Sequence, residues 1–147
     1  MHYRFWGLLD SCLAASAIQP FFSKSQLFVI KHACLGEEGG FFMQKVIDIE
    51  KLIASMPVTW EQDGAGDDAM VYLHYFRGGS DWYITEKDVL GGVAQAFGYA
   101  VLNGDMVFAE LGYISIAELT DCNVEFDLYF TAQKLGEIKQ QLLAATS

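Results

Sequence analysis

The pair Asn103-Gly104, within VLNGDM, constrains this chain more than any other two residues. Both tolerate the positive φ that a tight turn between antiparallel strands demands. Before it, GGVAQAFGYAVL sends Val93, Phe97, Tyr99 and Val101 one way and Ala94, Ala96, Gly98 and Ala100 the other. The small-residue side allows another element to approach closely. After it, MVFAELGYI supplies a partner strand, with Glu110 expected on the face of Met106 and Phe108. A second turn, RGGSD, joins the strand AMVYLHYF to DWYITEKD in another hairpin. NVEFDLYF adds a clean alternation, with Val124, Phe126, Leu128 and Phe130 inward and Glu125, Asp127 and Tyr129 outward.

Helical periodicity brackets these runs. QKVIDIEKLIASM places Val46, Ile49, Ile53 and Met56 on one face with Leu52 beside them, and Pro57 ends the helix. EQDGAGDD reads as a solvated acidic loop, since it lacks the alternating ligands and distal glutamate of an EF-hand. Ser115, three residues before Glu118, forms a capping box for a short helical turn. LGEIKQQLLA is amphipathic through Leu135, Ile138, Leu142 and Leu143, although Gly136 weakens its first turn. The sum is an α+β fold: an antiparallel sheet of about five strands with a helix before it and a helix after it.

Residues 1–42 do not settle into any period. Arg4, an apolar stretch and the small residues of AASA resemble a weak secretory signal, but Asp10 interrupts the apolar part. EEGGFFM is compatible with purine-rich codons just upstream of an ATG at Met43, and the amphipathic pattern starts directly after it. The expectation is therefore a single domain over residues 43–147, preceded by an extension that belongs to an over-long reading frame.

The formal net charge of -10 sits after that extension, because Arg4, Lys24 and Lys31 cancel Asp10, Glu37 and Glu38. Such a surface repels phosphate backbones, which argues against direct nucleic-acid binding. It suits solubility, or a partner protein with a basic surface. No apolar run is long enough to span a bilayer, so no membrane partner is expected. Cys12, Cys34 and Cys122 suggest neither a disulfide framework nor a zinc set; Cys122 reads as a small half-buried residue in a reducing, cytoplasmic setting.

Three blocks in order, WYITEKD, FAELGYISIAEL and VEFDLYF, resemble the bacterial and mobile-element proteins of domain-of-unknown-function family 2958. That family shows a Trp-x-x-x-Glu-x-Asp block, a Glu-Leu-Gly-Tyr-x-Ser-x-x-Glu-Leu block and a Glu-x-Asp-Leu-x-Phe block. The match covers roughly residues 70–131, with Trp82, Glu86, Asp88, Glu110, Gly112, Tyr113, Ser115, Glu118, Glu125 and Asp127 at the recurring positions. The chain departs from the pattern at Ala109, where proline is usual, and at Phe126, where arginine is usual. The resemblance implies a small bacterial, phage or plasmid protein, and it supplies no activity.

The candidate catalytic residues are Glu86, Glu110 and His74. Alternation puts Glu86 with Trp82 and Ile84, and Glu110 on an apolar face, so the two carboxylates either form a buried pair suited to acid-base work or serve the fold. Asp88 either joins them or stabilises a turn. His74 is the only histidine after Met43, yet neither Ser80 nor Ser115 sits in a nucleophile elbow. Trp82 and Tyr99 are candidate pocket walls, and Glu125 and Asp127 candidate contact residues. No motif calls for a cofactor or a metal. The leading expectation is a protein that works through protein contacts, the sharper variant being one that masks a basic nucleic-acid-binding surface with Glu125, Asp127, Asp63, Asp67 and Asp68. The alternative is a small-ligand binder or enzyme using a buried carboxylate pair.

Overall fold

Apolar stripes at helical spacing and alternating strands need a common core, and a computed structural model shows how they share one. It describes residues 48–49, 51–89 and 95–145. Residues 48–49 and 51–55 are helical (α1) and bury Ile49 and Ile53, with Met56 just beyond. Val46 and the extension up to residue 42 lie outside the described residues. The ammonium of Lys87 donates to the carbonyls of Ile53 and Ala54 at 3.0 Å each, satisfying the end of the helix before Pro57.

The strands are β1 (Met70–Val71), β2 (Leu73–Arg77), β3 (Ser80–Glu86), β4 (Ala96–Val101), β5 (Glu110–Ile114), β6 (Glu125–Phe126) and β7 (Gln133–Lys134). They form a five-stranded antiparallel sheet, ordered β5-β4-β3-β2-β6, and a two-stranded pair, β1-β7. Helix α2 (Ile116–Asp121) lies between β5 and β6, and α3 (Leu135–Ala145) follows β7. The α+β arrangement, with one helix before the sheet and one after it, is the architecture expected from the periodicities. Among the described residues no helix is long and apolar enough to cross a membrane.

Both faces of the sheet are covered. Leu73, Tyr75, Ile84, Ala96, Ile114 and Phe126 pack with Ile49 and Ile53 of α1 and Ile116 of α2. On the other face, Tyr83, Tyr99 and Val101 pack with Val71 and with Leu135 and Ile138 of α3. Gly136 in the first turn of α3 has its own reason. A Cβ there would come within 3.1 Å of the Asp67 Cβ, so the glycine lets the acidic loop dock on the helix. Leu143, expected on the buried stripe, is 54% exposed.

The two turns behave differently. Gly78 and Gly79 take φ of 55° and 84° between the paired residues Arg77 and Ser80, a two-residue hairpin. Asn103 and Gly104 also turn left-handed, and the Asp105 amide donates to the Leu102 carbonyl at 3.0 Å. Here the ladder does not resume at once. Asp105 accepts the Val107 amide at 2.9 Å, an Asx turn that pulls Met106–Ala109 out of the sheet. Pairing restarts at Ala100 opposite Glu110. Val107 and Phe108 are therefore exposed rather than strand residues.

The expected strand VEFDLYF is also cut short. Asp127 accepts the Tyr129 amide at 2.9 Å and its carbonyl accepts from Phe130, so a turn follows Phe126. This local competition with the ladder splits the supposed inward row. Leu128 packs on the α1 side of the sheet, and Phe130 packs on the α3 side. Ser115 caps α2 as expected, accepting the Glu118 amide at 3.2 Å. Cys122, at the C-cap of that helix, is exposed, not half-buried.

Candidate functional site

Strict alternation would put Glu86 beside Trp82 and Ile84. A bulge intervenes: Ile84 pairs with Gly98, but Glu86 pairs with Phe97, so the register shifts across Thr85. Because Phe97 and Gly98 point to opposite faces, Glu86 lies on the face of Phe97 and, one strand further, of Tyr113. It is 3% exposed.

The segment after α1 is built to hold that carboxylate. Glu86 Oε1 accepts the Gln62 amide at 2.5 Å, and Oε2 accepts the Trp60 amide at 3.3 Å. Trp60 in this loop adopts φ of 86°, a costly conformation for a bulky residue. The Gln62 side chain locks the same loop down. Its Nε2 donates to the carbonyls of Met70 at 3.0 Å and Thr85 at 2.9 Å, and its Oε1 accepts the Met70 amide at 2.7 Å. One primary amide thus satisfies backbone groups on β1 and at the bulge.

The result is a cleft of about 150 Å³ between this loop and the β4–β5 end of the sheet. Trp60, Phe97, Leu111 and Tyr113 form its apolar walls, and Glu86 and Asp63 supply its charges. Tyr113 meets Phe97 edge to face at 5.5 Å between ring centroids, and meets Trp60 in the same manner at 6.4 Å. No lysine or arginine among the described residues lines the cleft. Among the described residues, neither Glu86 nor Asp63 has an ion-pair partner.

The pair expected between Glu86 and Glu110 is absent. Glu110 pairs with Ala100, level with Trp82 on the next strand, and it is exposed. The bulge alone puts the two glutamates on opposite faces, because Glu110 keeps the Trp82 face that Glu86 leaves. Trp82 packs with the α1 cluster and Tyr99 with the α3 cluster, so neither lines this cleft. Lys139 sits over the Tyr99 ring at 5.0 Å. Asp88 is half-buried just past β3.

His74 belongs to a separate network. Its Nε2 faces Asp81 Oδ1 at 2.9 Å, and its Nδ1 faces Asp127 Oδ2 at 3.2 Å. The ring lies flat on Tyr83, with centroids 4.6 Å apart and planes 5° apart. Both ring nitrogens are thus engaged by carboxylates. Ser115 accepts its capping bond and Ser80 accepts the Asn103 amide at 2.9 Å, so neither completes a triad. Burial first, then the Asp81 and Asp127 charges, hold the Tyr83 phenol well above its ordinary value of 10.0. The network ties β2, β3 and the segment after β6 together, and Asp127 is turned inward by it.

The remaining acidic candidates are scattered. Asp67 pairs with Lys139 at 2.6 Å and Asp68 with Lys134 at 2.8 Å, both against α3 or its approach. Glu125 is exposed on β6, at the edge of the sheet opposite β5. What the sequence reading passed over is the set Trp60, Gln62, Phe97, Leu111 and Tyr113. Phe97 and Tyr113 stood in alternating runs, but nothing in the spacing of VTWEQDG announced that Trp60 and Gln62 close over a bulge.

Fold and site together define an α+β protein with an aromatic-walled, acidic cleft at one end of an antiparallel sheet. A scan against protein-family models, a search of curated proteins and a search of solved structures each returned no match.

Proposed function

We propose that this protein works by holding a partner protein along the β5 edge of its sheet. The observation that carries this reading is an apolar rim on that edge. Val107 and Phe108, leading into β5, are 85% and 81% exposed, and Leu111, Tyr113 and Trp60 continue the exposed row. Large apolar side chains gathered on one exposed edge favour a contact surface. Among the described residues, β5 pairs on one side only, so its other side offers backbone groups to an incoming chain. The net charge of -10 selects a partner whose contacting surface is basic. Masking of a nucleic-acid-binding surface is one use of such a contact, although Asp67, Asp68 and Asp127 are already engaged within the chain. The resemblance to domain-of-unknown-function family 2958 supports reading the chain as a small bacterial or mobile-element protein, and the cytoplasm is the setting proposed for this contact. The carboxylate-pair enzyme loses its ground, because Glu86 and Glu110 do not meet.

Affinity capture from the native host tests the reading. The wild-type chain should retain a basic protein that raised salt releases, since charge complementarity weakens with screening. The double variant Val107→Asp, Phe108→Asp should lose that protein while keeping its far-ultraviolet circular dichroism. Equal retention by the variant would move the contact away from this edge.

A further inference from the structure

We infer that the cleft beside β5 is a recognition site for a compact alkylammonium group, delivered as a lysine side chain of the partner. This rests on the β5 contact proposed above and names what enters next to it. Glu86 is a carboxylate buried to 3% exposure whose bonds come from two backbone amides, with no cation beside it among the described residues. Buried charges are ordinarily paired, and here the space where a cation would sit is open to solvent. Asp63 adds a second negative charge at the wall. The other walls are three aromatic rings, Tyr113 being roughly perpendicular to both Phe97 (80°) and Trp60 (74°). Rings set around one space offer π faces to a cation together with apolar surface to its methylenes.

Size and hydrogen bonding narrow the occupant. At about 150 Å³ the cleft is smaller than sites for drug-sized ligands, which start near 300 Å³, so a side chain fits its scale better than a nucleotide does. Each Glu86 oxygen already accepts one backbone amide. A guanidinium fork pairs best along a line open to both oxygens together, whereas an ammonium or its methylated form acts as a compact charge with no such alignment to meet.

The test uses the full chain and three probes: N-acetyl-lysine methylamide, its trimethylated form, and its Nε-acetylated neutral counterpart. Two-dimensional NMR follows the Trp60 indole and the Tyr113 ring. The two cationic probes should shift these signals with a dissociation constant on the order of 1 mM, and the neutral one should not. Tyr113→Leu, which keeps an apolar side chain and removes the π face, should weaken binding about tenfold. Asp63→Asn should weaken it in a salt-dependent manner. Glu86→Gln should abolish it, and the two surface variants keep the test valid if that change perturbs the loop. An equal response to the neutral probe, or no shift with any probe, would overturn the inference. So would protection of the outward β5 amides from hydrogen exchange in the free chain, or a dimer that Tyr113→Leu converts to monomer. Those results would assign the edge to the chain itself or to a second copy. Partner capture lost in the Val107→Asp, Phe108→Asp variant while probe binding persists separates the rim from the cleft.

Discussion

Gly98 shows how much one missing side chain decides. A Cβ at this position would sit 2.2 Å from the Tyr83 carbonyl oxygen, inside the ladder between β3 and β4. The neighbour is backbone and cannot rotate away. Gly98→Ala is therefore expected to lower unfolding free energy by ~3 kcal/mol, the upper part of the overpacking range, with the urea midpoint as readout. An unchanged midpoint would mean that β3 and β4 are farther apart than described. The need for small residues on this face was legible from Ala96-x-Gly98-x-Ala100. His74 was legible only as a candidate catalytic histidine with no nucleophile elbow in the sequence to serve. That Asp81 and Asp127 flank it depends on the turn after β6, which no alternation pattern encodes.

At the scale of elements, the bulge in β3 and the loop over it act as one device. Thr85 adds the residue that moves Glu86 to the other face, and Gln62 satisfies the carbonyl that the bulge exposes. Gln62→Glu keeps an acceptor for the Met70 amide and removes both donors. We expect it to destabilise the protein by about 2 kcal/mol, the usual penalty for buried polar groups left unpaired. Hydrogen exchange should show the amides of residues 59–64 opening first, and loss of alkylammonium binding should accompany that opening. Uniform protection would show that Gln62 is not the clamp. Strand lengths were the weakest part of the sequence reading for a related reason. Asp105 and Asp127 each turn the chain by accepting an amide two residues on, and a period-2 pattern does not register such bonds.

For the molecule as a whole, burying tyrosines on both faces of the sheet gives stability an alkaline limit. Burial alone holds the Tyr75 phenol well above 10.0, and burial with the Asp81 and Asp127 charges does the same for Tyr83. In the folded state both phenols keep their protons where an unfolded chain would release them. Their contribution is thus complete below the unfolded value near 10 and is lost as pH rises towards the folded values. Unfolding free energies from urea titrations should fall above about pH 10, by up to ~1.4 kcal/mol per pH unit for each tyrosine involved. Tyr83→Phe should flatten that slope. A slope unchanged in this variant would assign the alkaline loss to other groups.

What the sequence determined by itself was set by near neighbours. Hairpin turns at Gly78-Gly79 and Asn103-Gly104, the α1 stripe, the Ser115 cap and the α+β class all rest on interactions a few residues long. The site does not. Glu86 meets Trp60 and Gln62 across more than twenty residues, and Phe97 meets Tyr113 across a ladder whose register the turn alone did not set. A single bulged residue reverses which face a carboxylate occupies. Only packing both sheet faces against helices decides where that residue falls.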